Sequence, residues 1–277
     1  MKRTIIITAL AAMFALGANA QGSFKTIEGN GFKVHVYNSG DAMGDASYII
    51  ETKKGLVTME EPLFKVGAEE FGTYVKKLGK PVTDRITNYH EGATGNHPVY
   101  LAEGMNKEMH EGAYDAMMKG FQQSFGDKMV ARPTGKVKEV KFGTTIKLNG
   151  VSYTFYRGPK NDFPAANILI GKKFLLMHWA PARQYMNVLQ LSNREAVAQA
   201  LTGLKEAKAV GVAYVLGGHG GVATKDALNF RIAYLEKMQQ LLNENKNAGS
   251  FANALKAAYP GLAGEDAVND LAQALYK

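Results

Sequence analysis

Hydrophobic and polar positions change period along this chain, and each change marks an element. In "FKVHVYNSG" the residues Phe32, Val34 and Val36 alternate with other positions, a strand pattern. "ASYIIETKKGLVTMEEPLF" (46–64) predicts strand, Lys-Gly turn, strand. From Gly67 to Lys80 the apolar residues Phe71, Val75 and Leu78 move to helical spacing, and Gly79 reads as the C-cap. "PVTDRITNY" returns to strand. Met109, Ala113, Met117 and Phe121 then recur every four residues, which predicts a helix within 105–129, weakened by its central glycines. Beyond Pro133 the strands resume, with a second hairpin at Asn149-Gly150. "NILIGKKFLLMHWAP" is a further strand, turn, strand unit. Ser192 with Glu195 three residues on forms a capping box that opens an amphipathic helix. "VAYVLGGHGG" reads as a buried strand ending in a glycine-rich loop, and 225–277 as mostly helical.

Hairpin strands followed by helix and strand occur twice, over roughly 23–130 and 135–277. That order predicts an α/β (α+β) architecture of two mixed sheets packed face to face with helices on both outer sides. Composition narrows the setting. "MKRTIIITALAAMFALGANA" (1–20) has a basic start, an apolar run of about 12 residues and a small-x-small end, the form of a cleaved export signal rather than a membrane span. The expected mature protein is one domain, 21–277, periplasmic or secreted. With no cysteine in the chain, disulfides cannot stabilise it, so its stability must come from the core. The net charge of +8 is spread out: Lys136, Lys138, Lys141 and Lys147 alternate with other residues as on a solvated strand face. A nucleic-acid partner would need a concentrated basic patch, so none is expected.

The chemistry-bearing residues collect at strand ends, where a rigid scaffold fixes short side chains. His90 follows "ITNY", Asp162 lies in "GPKNDFP", His178 ends "FLLMHW", and His219 sits in "VLGGHGG". His35 and His97 have weaker context, and His110 lies in a polar helical stretch. Lacking a phosphate-loop Lys-Ser/Thr, "GGHGG" does not read as a nucleotide site.

Four segments in this order resemble the metallo-β-lactamase superfamily: "ASYIIETKKGLVTMEEP", "ITNYHEGATGNHP", "RGPKNDFPAANILIGKKFLLMHW" and "VLGGHGGVATKDAL". The resemblance covers most of the chain beyond the signal and implies the αβ/βα four-layer sandwich. It also implies an altered metal motif. Where the family carries HxHxDH, this chain has Asn88, His90, Gly92 and Ala93. The last ligand histidine remains as His219. Asp162 and His178 fall near two further ligand positions. Gly92 and Ala93 cannot ligate, and an amide oxygen such as that of Asn88 is a poor zinc ligand. The standard two-zinc site is therefore not expected.

Two functions follow from the resemblance. One is a protein without the standard hydrolase activity that binds a small-molecule ligand or a protein partner in the vacated cleft. The other is a hydrolase of an ester, lactone, lactam or thioester that holds one zinc or iron ion through His90, Asp162, His178 and His219. In that second reading His90 and His219 are also the candidate catalytic residues, with Asn88 and Glu91 as weaker ligands. Glu91 reads more simply as a solvated acid, and Asn88 as a cap of the following helix. A shared ion requires nitrogens of His90 and His219 within about 6 Å of each other.

Overall fold

A computed structural model of the chain describes residues 22–41, 44–92, 96–132, 135–159 and 163–277. The export-type segment, Ala93 and Asp162 lie outside the described residues. Contacts divide the chain into two compact units: 1–158, 162–180 and 216–222 form one, and 159–161, 181–215 and 223–277 the other.

The first unit holds a seven-stranded sheet in sequential order: β1 (Ser23–Glu28), β2 (Lys33–Asn38), β3 (Ala46–Glu51), β4 (Leu56–Met59), β5 (Val82–Ile86), β6 (Val99–Ala102) and β7 (Val137–Val140). β1 to β4 are antiparallel, as their short turns require. β4 to β7 are parallel, so longer crossovers join them. Helix α1 (Lys65–Lys77) makes the first crossover and buries Phe71 against Tyr37, Ile49 and Leu56. The last crossover carries α2 (Met105–Glu111) and α3 (Ala113–Phe125), where the four-residue spacing predicts one helix. Gly112 is extended, at φ −100° and ψ −159°, and breaks it in two. Met105, Met109, Tyr114, Met118 and Phe121 are buried there with Leu63, Val99 and Leu101. The Met-rich stripe is core packing.

A second sheet runs β13-β12-β11-β10-β9-β8, formed by β8 (Thr145–Leu148), β9 (Val151–Arg157), β10 (Ala166–Ile170), β11 (Phe174–Trp179), β12 (Tyr214–His219) and β13 (Val222–Thr224). The Asn149-Gly150 and Gly171-Lys172 turns close its hairpins, with Asn149 and Lys172 at positive φ. Side-chain contacts join the two sheets within the first unit. Asn149 Nδ2 donates to Thr83 Oγ1 at 2.7 Å, and the rings of Phe32 and Phe174 lie 5.8 Å apart.

In the second unit, α4 (Arg194–Val210) packs on α5 (Lys225–Glu244), and α6 (Ala248–Ala258) packs on α7 (Val268–Leu275). The N-cap of α4 is Asn193, not Ser192: its side chain accepts from Ala196 N at 2.8 Å. The cap is one residue later than the capping box predicts. No helix among the described residues is long and apolar enough to cross a membrane.

Candidate metal centre

Sheet direction gathers the site at one edge of the first unit. β3 runs antiparallel to β4, with Tyr48 opposite Met59, so Asp45 just before β3 meets the residues just after β4. β5 runs parallel to β4, with Met59 opposite Ile86, so "TNYH" emerges at the same edge. Glu60 organises that segment. Its backbone sits at φ 52°, and its fully buried carboxylate accepts from three successive N–H groups: Asn88 (2.7 Å), Tyr89 (2.9 Å) and His90 (3.2 Å). Burial pushes the Glu60 pKa up, a shift that His90 and the three N–H donors only partly offset.

The glycine-rich end of β12 is fixed from two sides. Tyr48 donates its hydroxyl to Gly217 O at 2.6 Å, and Gly220 N donates to Gly44 O at 2.8 Å. Asp45 and His219 pair as an isolated antiparallel bridge. These contacts bring His219 across to Asp45 and His90.

Asp45 Oδ1 lies 2.7 Å from His219 Nδ1 and 3.8 Å from His90 Nε2. One donor atom from each of the three residues lies within 4.8 Å of the other two, and all three side chains are buried. The 2.7 Å contact is not an aligned hydrogen bond, and neither Asp45 Oδ1 nor His219 Nδ1 has a hydrogen-bond partner among the described residues. Burial opposes ionisation of Asp45, but His90 and His219 outweigh it and hold the carboxyl below its ordinary pKa. Burial lowers the pKa of His90 and keeps its imidazole neutral, the form that ligates. His219 lies under the ring of Trp179, 4.3 Å between centroids, and 5.2 Å from the ring of His178. His178 stacks on Tyr89 at 3.9 Å.

This donor set fits one metal ion. Two ligand atoms at about 2.0–2.2 Å from an ion lie no more than about 4.4 Å apart. Both Asp45 distances meet that limit, and His90 and His219, whose ligand atoms lie within 4.8 Å of each other, reach it with a shift of at most a few tenths of an ångström. The Asp45–His219 separation is shorter than the roughly 3.3 Å edge of a tetrahedral site, so an ion would part this pair by about half an ångström. Two imidazoles and a carboxylate suit zinc or iron, and two orphaned buried donors aimed together are what an ion would satisfy.

The structure brings together two of the expected residues, His90 and His219, with ligand nitrogens within 4.8 Å of each other. His178 stands beside them in the aromatic stack, and Asp162 lies outside the described residues. Asn88 is neither a ligand nor a helix cap. Its amide donates to Ala166 O and accepts from Ala166 N, both at 2.8 Å, clamping β10 to the β5 loop. Glu91 is not a solvated acid: it is buried, and Oε2 lies 3.2 Å from Arg132 Nε, away from the cluster. Gly92 stands where the family's aspartate would, and a Cβ there collides with the main chain of Glu61 and Pro62. His35 belongs to a separate network with Glu51, Thr26 and Tyr74, and His110 is exposed. The residues not foreseen are Asp45 and Glu60. "GDAS" carries no motif, and only the position of Asp45 beside the β3–β4 hairpin marks it.

No family model matches the sequence, and no curated protein matches it. Solved structures match the fold. A metallo-beta-lactamase family protein from Thermus thermophilus superposes with a TM-score of 0.55 at 15% identity, over 91% of each chain. An archaeal metallo-beta-lactamase superfamily protein from Sulfolobus tokodaii gives 0.52 at 13%, over 84% of this chain and 94% of its own. A variant flavo di-iron protein from Thermotoga maritima gives 0.54 at 13%, over 93% and 78%. The chain has the metallo-β-lactamase fold, an αβ/βα sandwich built on two mixed sheets. Within that fold it carries a possible metal site of its own composition, Asp45, His90 and His219.

Proposed function

We propose that this chain is an exported single-metal protein of the metallo-β-lactamase fold, a hydrolase of an ester, lactone, lactam or thioester. Asp45, His90 and His219 would hold the ion, zinc or iron. The observation that carries this reading is the convergence of Asp45 Oδ1 and His219 Nδ1, buried and without other partners among the described residues, beside His90 Nε2. A bound ion with three protein ligands and an open position lowers the pKa of a coordinated water and polarises a carbonyl. The protein's own part is orientation. Glu60 fixes the loop that presents His90, and Trp179 covers one face of His219. Gly92 removes a ligand from the place of a second ion and leaves no room to restore it.

A second reading is favoured by the closeness of Asp45 and His219. At 2.7 Å they could hold one another without an ion, in a non-catalytic protein that binds a small ligand or a protein partner. Metal content of untagged protein separates the two. The enzyme reading expects close to one ion per chain, lost in the His90→Ala, His219→Ala double variant. It also expects the fluorescence of Trp179, the one tryptophan of the chain, to change on metal addition. No bound metal after incubation with zinc or with ferrous iron would leave the binding reading. Export rests on the 1–20 segment, and N-terminal sequencing of protein recovered outside the cytoplasm tests it.

A further inference from the structure

The second unit contains a buried cation in an apolar position. Along α5 the residues Leu228, Ile232, Leu235, Met238 and Leu242 form the buried stripe, and Arg231 sits within it at 2% exposure. A buried charge is ordinarily paired. Arg231 has no carboxylate partner among the described residues. Its Nη2 donates to Ala182 O at 2.7 Å, its guanidinium lies 5.2 Å from the ring of Tyr234, and Nη1 is buried with no acceptor among them. Burial pulls its pKa down to about 10, still far above neutrality, so the group stays charged. A second guanidinium is adjacent in the chain to the acceptor of this bond: Arg183 lies over the ring of Phe230 at 4.4 Å. The 181–186 segment on α5 thus adds a second, exposed cation next in the chain to Ala182, and no acid among the described residues pairs with either arginine. The Tyr234 hydroxyl at the same contact accepts from Met186 N at 3.4 Å and still has its own proton to donate.

We propose that Arg231 is the receptor for one oxyanion, the carboxylate or phosphate group of a small ligand, bound through Nη1, which has no acceptor among the described residues, with the second N–H of Nη2 beside it. A planar guanidinium suits this task, because its paired N–H groups match the two oxygens of such an anion. The covering segment, 181–193, contains no helix or strand; Tyr185 anchors it to Ala263 O and Tyr259 O, so admitting the group requires its Ala182 end to move off the guanidinium. A charge kept inside an apolar stripe at the expense of stability is the pattern of a binding residue.

The test uses the full chain, with acetate and inorganic phosphate as probes and chloride at matched ionic strength as reference. Calorimetric titration of the wild type should show saturable binding of at least one oxyanion, and the preferred probe distinguishes a carboxylate ligand from a phosphate one. Arg231→Met should weaken that binding at least tenfold and raise the unfolding midpoint by about 3 °C, because an unpaired buried charge is gone. Arg231→Lys, which keeps the charge and loses the fork, should bind with intermediate affinity. A stabilisation by phosphate that survives in Arg231→Met is a general salt effect and overturns the proposal, as does an Arg231→Met protein that is less stable yet binds unchanged. Should that variant not fold, the wild-type titration decides alone: no saturable uptake of either probe up to about 50 mM sinks the idea.

Discussion

Two residues do more for the candidate site than their place in the sequence suggests. Glu60 is a carboxylate fitted into three consecutive N–H groups, and that cradle sets the orientation of His90. Glu60→Gln keeps the shape but turns an amide donor toward a backbone donor. It should cost about 2–3 kcal/mol in urea unfolding and weaken metal uptake, while His90 itself is untouched. Gly92 is constrained differently. Its Cβ position is taken by the main chain of Glu61 and Pro62, so Gly92→Asp cannot re-create the ligand that the family motif has there. That variant should be destabilised by about 3 kcal/mol or more, and elemental analysis should find no second ion in whatever folds. Recovery of a stable two-ion protein would show that the loop is free to move and that the glycine is not what limits the site.

At the scale of elements, the second and third strands are joined by a polar network on the face covered by α1. His35 Nε2 lies 2.8 Å from Glu51 Oε2, Lys80 Nζ lies 2.6 Å from Glu51 Oε1, and Tyr74 of α1 meets His35 Nδ1 at 3.0 Å. Burial works against the charge on Glu51, but Lys80 and His35 outweigh it and hold its pKa below the ordinary carboxylate value. A carboxylate whose folded pKa is depressed binds its proton less tightly when folded. Its contribution is present above the unfolded pKa and lost as pH falls through the folded one. Stability should therefore decline with acid below about pH 4.5, and Glu51→Gln should flatten that limb in urea melts taken between about pH 3 and pH 6. The elements themselves were largely legible. Hairpins with Gly turns, α1 with Gly79 and the buried strand before His219 follow from local pattern, because turn chemistry and period act over a few residues. β6 was not legible. Its four residues follow a proline and carry no alternation, and they become a strand because β5 and β7 lie on either side to pair with them. The split of the Met-rich helix depended on Gly112, and sequence could not decide whether that glycine would be tolerated or break the helix. Asp45 was invisible for a related reason. Its partner His219 is far along the chain, and only sheet register brings the two together.

For the whole molecule, the donor set is also a tie between sheets. Asp45 opens β3 and His90 follows β5, both in the first sheet, while His219 ends β12 in the second. An ion held by all three would add a direct link between the sheet edges, beside the isolated bridge, the Gly220–Gly44 and Tyr48–Gly217 hydrogen bonds and the unaligned Asp–His contact. Ligand binding to the folded state alone adds stability as RT ln(1 + [L]/Kd), about 2.7 kcal/mol at a hundredfold excess over Kd. For a chain of this size that corresponds to a midpoint shift of roughly 5–10 °C. Chelation should lower the thermal midpoint of the wild type by that amount, and re-addition of zinc or ferrous iron should restore it. In Asp45→Asn the chelator should have little effect, because the variant would already lack the carboxylate that brings β3 to the ion. The two sheets would then be held by apolar packing, the Asn88 clamp and the Tyr48–Gly217 and Asn149–Thr83 hydrogen bonds. Equal midpoints for wild type and Asp45→Asn, with and without chelator, would mean that neither an ion nor the Asp45–His219 contact ties the sheets; a lower Asp45→Asn midpoint with no chelator effect on the wild type would make the Asp–His contact itself the native tie.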